Sequence, residues 1–305
     1  MRNNLLPKIL IILGQTATGK SALAVRLAKK FNGEIISADS RQVYRGLNIG
    51  TGKITKREMH GIPHHLLDVA NPKSTYNVAK FKQDAYKAIE GILKRGKLPI
   101  ICGGTGFYIQ AIVDNTILPD VVANKKLRER LAKIPTEKLL VMLRELDSNR
   151  AAEIDPQNRV RIIRSIEIAT ALGKVPKISS NPIYDSILIG ITLPDIELRK
   201  KIHIRLLARM KQGMAAEASK LHKNGLSWKR MNELGLEYRF LAAFLQGKSS
   251  KEEMLRTLEI EIWHFARRQK TWFKRNKKGN KKIAWFGPRD FSALIKKLNP
   301  ALLPK

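Results

Sequence analysis

Residues Ile9–Ala24 of the chain read ILIILGQTATGKSALA, and this stretch decides the fold. The apolar run Ile9–Leu13 is typical of a strand that is buried on both faces. Beyond it, Ser21–Phe31 carries apolar residues at helical spacing. Between the two, Gly14–Ser21 matches G-x-x-x-x-G-K-[ST], a loop whose backbone N–H groups, lysine and helix N-terminus bind phosphate oxygens. The stretch therefore predicts a di- or triphosphate site at the start of an α/β domain.

Strands and helices continue to alternate along the first 115 or so residues. The patterns predict strands over Glu34–Ala38 and Leu98–Cys102, with a helix over Val78–Lys94 between them. Ile187–Leu193 predicts a further buried strand. Continuous apolar strands that alternate with amphipathic helices are typical of a parallel sheet covered on both faces. We therefore predict an α/β fold with a P-loop NTPase-like parallel sheet flanked by helices.

A charged segment interrupts this alternation. Residues 119–182 have helical periodicity and no strong strand pattern, and Pro119 and the pair Asn181-Pro182 bracket them. We expect residues 119–182 to form a helical insertion domain. Residues 1–118 and 183–305 are then expected to form the P-loop core, with a helical and basic region at its carboxyl end.

The charge of the chain indicates a polyanionic partner. Among 305 residues there are 58 lysines and arginines against 26 acidic residues, a net charge of +32. Residues 266–282 are dense in basic side chains and contain no acid, and we expect Lys277, Lys278, Lys281 and Lys282 to contact a phosphate backbone. Such an excess favours nucleic acid as the partner, although a solubility adaptation stays open as the alternative.

Other features bear on location and assembly. Cys102 is the only cysteine, so the chain can form neither an intramolecular disulfide nor a cysteine-based zinc site. The amino-terminal apolar run is too short for a signal peptide, and no stretch approaches the roughly 20 apolar residues that span a bilayer. We expect a cytoplasmic protein without membrane attachment. No feature indicates an obligate protein partner, and the oligomeric state stays open, although the chain can act as a monomer.

Asp39, directly after the predicted strand Glu34–Ala38, has four candidate roles: metal ligand, ribose clamp, general base or cap of the following turn. A ribose clamp belongs with a G-x-G-x-x-G loop, which is missing. The N-K-x-D of a GTPase is also missing, as is the apolar run ending in an acid that an ATPase uses. A kinase-like layout remains, in which an acid at the carboxyl end of a strand meets an acceptor beside the loop.

Six motifs in one order carry a resemblance that covers most of the chain. They are GQTATGKSALA (Gly14–Ala24), GEIISADSRQVYRGLNIGTGK (Gly33–Lys53), PHHLLDV (Pro63–Val69), ICGGTGFYIQAI (Ile101–Ile112), NRVRIIRSIEI (Asn158–Ile168) and FARRQKTWFKR (Phe265–Arg275). Together they resemble the tRNA dimethylallyltransferases, also called tRNA isopentenyltransferases. The cysteine–histidine zinc finger of eukaryotic relatives is absent from the sequence, which indicates the bacterial type.

This resemblance implies an activity in which the P-loop does not hold ATP. In that family the loop binds dimethylallyl diphosphate, and the dimethylallyl group passes to N6 of the adenine 3′ to the anticodon in tRNA. Pyrophosphate leaves with Mg²⁺. The target base is flipped into the catalytic domain, and the helical insertion grips the anticodon stem-loop. The expected partners are therefore dimethylallyl diphosphate and a tRNA anticodon stem-loop, and the expected cofactor is Mg²⁺.

The resemblance and the chemistry together suggest site residues. The loop residues expected to bind the diphosphate are Gly14, Gln15, Thr16, Ala17, Thr18, Gly19, Lys20 and Ser21, and the Ser21 hydroxyl is expected to bind the metal. The catalytic candidates are Asp39, as the general base for the adenine amino group, with Lys20, Thr105 and Arg205. The expected tRNA contacts are Asp39, Ser40, Arg41, Gln42, Thr105, Arg128, Gln157, Asn158, Arg159, Val160 and Arg161.

Three rival functions stay open on the sequence alone. The first is a P-loop small-molecule or nucleotide kinase, and the second is an isopentenyltransferase that modifies free AMP or ATP. The third is a non-catalytic RNA-binding protein. The basic surface and the insertion disfavour the first two, and the intact Gly19-Lys20-Ser21 with Asp39 disfavours the third.

Overall fold

The computed structural model describes residues 6–177, 179–275 and 282–302, so Lys277, Lys278 and Lys281 of the basic run lie outside the described residues. Six described strands form one sheet: β1 (Lys8–Gly14), β2 (Gly33–Ala38), β3 (His64–His65), β4 (Leu98–Gly103), β5 (Asp185–Ile191) and β6 (Ala284–Phe286). Their order across the sheet is β3-β2-β4-β1-β5-β6, and every neighbouring pair is parallel. The predicted parallel sheet is confirmed.

The strand β1 lies inside the sheet and is buried on both faces. It pairs with β4 through registers such as Leu10 with Ile100, and with β5 through Ile12 with Ile189. Its alternate side chains enter two separate cores, with Ile11 in one and Leu10 and Ile12 in the other. The continuous apolar run in the sequence therefore reflects a strand that has no solvent-facing side.

Fourteen helices accompany the sheet in the described residues. Those before the insertion are α1 (Lys20–Lys30), α2 (Lys56–Met59), α3 (Val78–Lys94) and α4 (Gly106–Val113). The insertion contributes α5 (Lys125–Leu131), α6 (Thr136–Leu146), α7 (Ser148–Glu153) and α8 (Arg159–Leu172). The last six are α9 (Asp195–Lys211), α10 (Met214–Lys223), α11 (Trp228–Leu234), α12 (Leu236–Leu245), α13 (Lys251–Arg275) and α14 (Phe291–Leu302).

Helix α3 shows how sequence pattern and packing agree in this fold. The Asn77 side chain caps its start by accepting a hydrogen bond from the Lys80 N–H (2.9 Å). Phe81, Ala85 and Ile89, each four residues apart, are fully buried against one face of the sheet. Burying a large apolar side chain contributes about 1.5–3 kcal/mol, so this stripe accounts for much of the attachment of α3 to the sheet. Helices α1 and α14 supply the core on the other face.

The chain divides into two compact units, the first comprising Met1–Asn115 with Pro182–Lys305 and the second comprising Thr116–Asn181. The first contains the sheet. The second holds α5–α8, which pack around their own apolar core. Its buried residues are Leu131, Leu139, Leu143, Ile154, Ile162 and Ile166.

Four elements of the first unit are missing from the sequence-based prediction: the strands β3 and β6 and the short helices α2 and α4. The strands β3 and β6 contain two and three residues, too few for an alternating pattern to register. They form because each adds to the edge of an existing parallel sheet. Among the described residues, no helix combines the length and the apolar character needed to cross a membrane.

Candidate active site

The loop between β1 and α1 is tightly curled. Gly14 has a φ of 142°, and a Cβ at this position would lie 2.2 Å from the carbonyl oxygen of Ile191 on β5. Ala17 has a φ of 63°, a left-handed value that is uncommon for a residue with a side chain. The Thr18 hydroxyl donates a hydrogen bond across the loop to the carbonyl oxygen of Gln15 (2.9 Å). Backbone strain of this kind clusters at ligand sites, and left-handed residues help successive N–H groups to share one concavity.

Lys20, the first residue of α1, is one of two cations at this loop. Its ammonium group donates a hydrogen bond to the carbonyl oxygen of Gln15. Burial lowers the pKa of the Lys20 amine to about 8, because removal from water penalises the charged form. Ser21 follows with an exposed side chain in the first turn of the helix. A partly buried cation beside a helix N-terminus is a site that a bound anion would stabilise.

Arg205 of α9 is the second cation, and it comes from a distant part of the sequence. Its Nη2 atom donates a hydrogen bond to the Thr16 hydroxyl (2.6 Å). Burial, with the neighbouring charge of Arg209, lowers the pKa of Arg205 to about 9. Among the described residues, neither Lys20 nor Arg205 forms an ion pair with a carboxylate. The loop thus holds two cations whose charge an anionic ligand could neutralise.

Asp39 follows β2, and its two carboxylate oxygens have different surroundings. Oδ1 accepts hydrogen bonds from the backbone N–H groups of Arg41 (2.8 Å) and Gln42 (3.3 Å). Oδ2 accepts no hydrogen bond from any residue that the structure describes. The cap role that the sequence left open is therefore real, and it occupies one oxygen only. The other oxygen can accept a proton from a substrate.

Thr105 lies beside Asp39 because β2 and β4 are neighbours in the sheet. Their register pairs Ala38 with Gly103, so both chains leave the sheet at the same edge. The Thr105 hydroxyl accepts a hydrogen bond from the Ser40 N–H (3.0 Å), and the Thr105 N–H donates to the carbonyl oxygen of Ala38 (3.2 Å). These two bonds hold the turn after β2 against the turn after β4.

The charge of Asp39 also reaches the phosphate loop. It raises the pKa of both Lys20 and Arg205, against the larger lowering that burial causes in each. Gln42, whose N–H binds Asp39, also donates from its Nε2 atom to the carbonyl oxygen of Gly52 (3.3 Å). The structure therefore gathers Lys20, Arg205, Asp39 and Thr105 at the carboxyl ends of the parallel strands, where ligands of open α/β sheets bind.

The predicted tRNA contacts of the second unit differ in exposure. Gln157, Val160 and Arg161 are exposed around the start of α8, with Val160 79% accessible. Asn158 caps α8, because its side chain accepts a hydrogen bond from the Arg161 N–H (3.2 Å). Arg159 is half-buried and donates to the carbonyl oxygen of Ala132 (2.8 Å). Asn158 and Arg159 thus have structural partners, and their contact with tRNA stays a prediction.

Arg128, also a predicted tRNA contact, is itself exposed but belongs to an ion cluster around the buried carboxylate of Glu167 in the second unit. Its guanidinium makes two hydrogen bonds to the carboxylate of Glu167, at 3.0 and 2.7 Å. Arg164 binds the same carboxylate, as does the backbone N–H of Asn124 (2.6 Å). Burial acts to raise the pKa of Glu167, but these partners prevail and hold it at about 2. The structure therefore gives Arg128 a stabilising role that its sequence position did not indicate.

Comparison with known proteins places the chain in a family. Residues 42–276 match the family model described as IPP transferase. The chain belongs to the IPP transferase family. A tRNA dimethylallyltransferase 2 from Treponema denticola is 45% identical over 90% of this chain and 94% of its own length, and a tRNA dimethylallyltransferase 1 from Syntrophus aciditrophicus is 40% identical over 96% and 98%. The family resemblance carried by the six motifs is confirmed.

A solved structure of this family also resembles the chain. The full-length tRNA isopentenylpyrophosphate transferase of Bacillus halodurans superposes with a TM-score of 0.71 at 34% identity. The superposition covers 97% of this chain and 95% of that one. The P-loop NTPase-like fold with its helical insertion is therefore that of the IPP transferases.

One buried side chain of this IPP transferase site escaped the sequence analysis. Gln269 of α13 accepts a hydrogen bond from the backbone N–H of Thr16 (2.7 Å) and donates one to the carbonyl oxygen of Gly104 (2.9 Å). In the sequence it lies within a run of basic residues that we interpreted as a nucleic-acid surface. Its signal was the spacing of Ala266, Gln269 and Phe273, which places an amide on the buried face of a helix.

A second omission concerns the segment that follows Gln42. The Glu217 carboxylate accepts hydrogen bonds from the backbone N–H groups of Asn48 (3.0 Å), Ile49 (2.8 Å) and Gly50 (3.0 Å). Tyr238 donates its hydroxyl to the same carboxylate (2.7 Å). One acid thus fixes the segment to which the Gln42 side chain is bonded, and a carboxylate so far along the chain carries no local signal of this role.

The donor atoms at the loop suit a divalent cation that binds mainly to its ligand. In the described ranges, no group of three or more histidine, cysteine, aspartate or glutamate side chains could hold a metal ion. Ser21 offers one exposed hydroxyl oxygen next to Lys20. Hard cations are often held by one or two protein oxygens together with substrate phosphate oxygens, and this donor set fits that arrangement.

Proposed function

We propose that the protein transfers the dimethylallyl group of dimethylallyl diphosphate to N6 of the adenine 3′ to the anticodon in tRNA, with release of pyrophosphate. The observation that carries the proposal is the position of Asp39. An oxygen able to accept a proton lies in one charge cluster with two cations of a phosphate-binding loop. A transferase needs both, a base for the attacking amine and positive charge for the leaving diphosphate.

In the proposed step, the N6 nitrogen attacks C1 of the dimethylallyl group and a C–N bond forms. The C1–O bond breaks, and its electron pair leaves with the pyrophosphate. Asp39 takes the displaced N6 proton through Oδ2 while Oδ1 keeps its bonds to the backbone. Loss of the proton matters because the lone pair of an adenine amino group is delocalised into the ring. A positioned base of this kind contributes about 10²–10⁴-fold to rate.

The phosphate loop would stabilise the negative charge that develops on the leaving group. Lys20, Arg205 and the backbone N–H groups of the loop Gly14–Ser21, apart from that of Thr16, which bonds to Gln269, would bind the diphosphate oxygens. We propose Mg²⁺ as the metal, with the Ser21 hydroxyl among its ligands. When bound, it supplies positive charge that neutralises the departing pyrophosphate.

The acceptor adenine would be read by the turns after β2 and β4. Thr105, Ser40, Arg41 and Gln42 offer hydrogen-bonding groups beside Asp39. A base must leave its stack before N6 can reach such a site, and the cost is lowest in a single-stranded loop. We propose that exposed residues of the second unit, with Arg161 foremost, contact the anticodon stem-loop. Its tRNA substrate makes the cytoplasm the proposed location.

The decisive experiment offers the protein labelled dimethylallyl diphosphate with an anticodon stem-loop RNA or with AMP. Transfer of label to the stem-loop, and its loss when the adenine 3′ to the anticodon is replaced, are expected. Transfer to AMP alone would overturn the proposal in favour of a free-nucleotide enzyme. Phosphate transfer from γ-labelled ATP, with no prenyl transfer, would instead indicate the kinase. Binding of RNA without any transfer would identify a non-catalytic protein.

A further inference from the structure

The inward face of α13 joins the phosphate loop to the turn that carries Thr105. Gln269 is buried there, and its amide uses both ends: Oε1 accepts from the Thr16 N–H (2.7 Å), and Nε2 donates to the Gly104 carbonyl oxygen (2.9 Å). Gly104 immediately precedes Thr105. A single side chain thus spans the diphosphate side and the acceptor side of the proposed site.

The turn Gly104–Gly106 packs closely against this face of α13. A Cβ added to Gly104 would lie 2.3 Å from Nε2 of Gln269, and one added to Gly106 would lie 2.1 Å from the ring of Trp272. Gln269 and Trp272 are three residues apart and so lie on the same face of α13. The whole turn Gly104–Gly106 is therefore packed against this face, so a shift of α13 would also displace Thr105.

The outward face of the same helix is basic. Arg267, Arg268, Lys274 and Arg275 are exposed, within one or two turns of Gln269. Side chains of this kind are expected to contact an RNA phosphate backbone. A helix that meets RNA on one face and both loops on the other has the arrangement needed to make binding at one site depend on the other.

We propose that Gln269 is a positioning residue that couples the diphosphate site to the RNA site. This inference rests on the proposed function. A ligand that stabilises one loop in the conformation described above also stabilises the orientation of the Gln269 amide that the other loop requires. The two ligands therefore bind with positive cooperativity, and the coupling is reciprocal.

The test measures affinity rather than turnover. Calorimetry gives the affinity of the full-length protein for pyrophosphate with Mg²⁺, first alone and then with a saturating anticodon stem-loop RNA. Coupling between protein sites is typically about 5–150-fold, and we expect the wild-type ratio to lie in that range. The reverse titration, stem-loop with and without pyrophosphate, must return the same ratio. A wild-type ratio of one would overturn the inference.

Two variants then locate the coupling. Gln269→Met keeps the size of the side chain and removes both hydrogen bonds. Gly104→Ala instead displaces the Gln269 amide and leaves the sequence of α13 unchanged. Both should bring the ratio to within about twofold of one. A residue that merely supported the fold would weaken both affinities and leave their ratio unchanged, and that outcome would also overturn the inference. Gln246→Met is the matched control, because within the described part of the chain the Gln246 side chain donates only to a carbonyl oxygen of its own helix segment, that of Ala242 (2.8 Å).

The transfer assay separates this inference from the proposed function. If wild-type protein prenylates the stem-loop and Gln269→Met keeps the full coupling ratio, the function stands and the role of Gln269 is wrong. If wild-type protein transfers no label, the proposed function itself fails.

Discussion

The backbone N–H of Ser40 donates a hydrogen bond to the hydroxyl of Thr105 at 3.0 Å, although 65 residues separate them in the chain. The contact follows from sheet order, because β2 and β4 are parallel neighbours that end at the same level, Ala38 beside Gly103. It brings Asp39, the residue before Ser40, next to the turn that α13 holds through Gln269. The proposed acceptor site at Asp39 and Thr105 and the phosphate loop therefore lie at the same edge of the sheet.

Replacing Asp39 with asparagine should abolish most transfer without disturbing the turn. The asparagine carbonyl oxygen can still accept from the Arg41 and Gln42 N–H groups, as Oδ1 does now. The amide cannot accept the adenine proton, so we expect the single-turnover rate to fall by about 10²–10⁴-fold. Stem-loop affinity should stay within about threefold, because the asparagine keeps the hydrogen bonds that hold the turn.

Asp39→Ala provides the comparison, because it removes the cap as well as the base. Loss of a side-chain cap costs about 0.5–2 kcal/mol, so this variant should unfold at a lower temperature than Asp39→Asn. Near-normal turnover in Asp39→Asn would show that another group accepts the proton.

The sheet and the phosphate loop were predictable because both depend on local sequence. The apolar run Ile9–Leu13 is typical of a strand buried on both faces, and Gly19-Lys20-Ser21 after it indicates a loop between a strand and a helix. The role of Gln269 was not predictable, since a glutamine among basic residues shows no local sign that it bonds to Thr16, which is 253 positions away.

A similar limit applied to Arg128 in the second unit. The sequence predicted a tRNA contact for Arg128, which stays a prediction, but gave no sign of the ion pair that its guanidinium forms with Glu167 of α8. A carboxylate on an otherwise apolar helical face is a weak signal for such a partner, and only packing decides which arginine reaches it. The two edge strands β3 and β6 were missed for a related reason, because they exist only through pairing with a longer neighbour.

Pyrophosphate binding should take up a proton through Lys20. Burial lowers its pKa to about 8 in the unliganded protein, so the amine loses its proton as the pH rises well above 8. Bound negative charge favours the protonated form and raises this pKa. Affinity should therefore fall as pH rises through 8. Calorimetric titration in two buffers of different ionisation enthalpy measures the uptake, and Lys20→Met should lack the part due to this amine. Equal uptake by both proteins would contradict the assignment.

Arg205→Lys should weaken diphosphate binding even though the charge is kept. The guanidinium bonds to the Thr16 hydroxyl at 2.6 Å and has further N–H donors for phosphate oxygens. A lysine side chain is shorter and carries its charge on a single ammonium group, so it cannot replace all of these contacts. Hydrogen bonds that involve a charged group contribute about 1.5–3 kcal/mol, which corresponds to roughly 10–150-fold in pyrophosphate affinity. Arg199→Lys is the control on the same helix, since Arg199 lies over the Trp263 ring at 4.4 Å. Equal effects of the two changes would exclude a specific role for Arg205.

Substitution of two arginines of the second unit should affect different properties, RNA binding for Arg161 and stability for Arg128. Arg161 is exposed, so Arg161→Ala should change the free energy of unfolding by no more than about 0.5 kcal/mol while weakening the stem-loop complex. Arg128→Ala leaves the buried Glu167 with fewer partners and should cost about 1–3 kcal/mol. Thermal unfolding and stem-loop titration of both variants measure the contrast. A stable Arg128→Ala protein with weakened RNA binding would reverse the two assignments.

The cost of Arg128→Ala should also depend on pH in a defined direction. Hydrogen bonds from Arg128, Arg164 and the Asn124 N–H hold the pKa of Glu167 at about 2, below the roughly 4.3 of an unfolded chain. A group with a lowered folded pKa contributes stability above the unfolded value and loses it as the pH falls toward the folded value. The difference in unfolding free energy between wild type and Arg128→Ala should therefore be constant above pH 5 and shrink from pH 4.5 toward pH 2. Denaturant titrations across that range measure it, and Arg161→Ala should show no such trend. A difference that persists undiminished at pH 2 would mean that Arg128 stabilises the second unit by packing rather than by its charge.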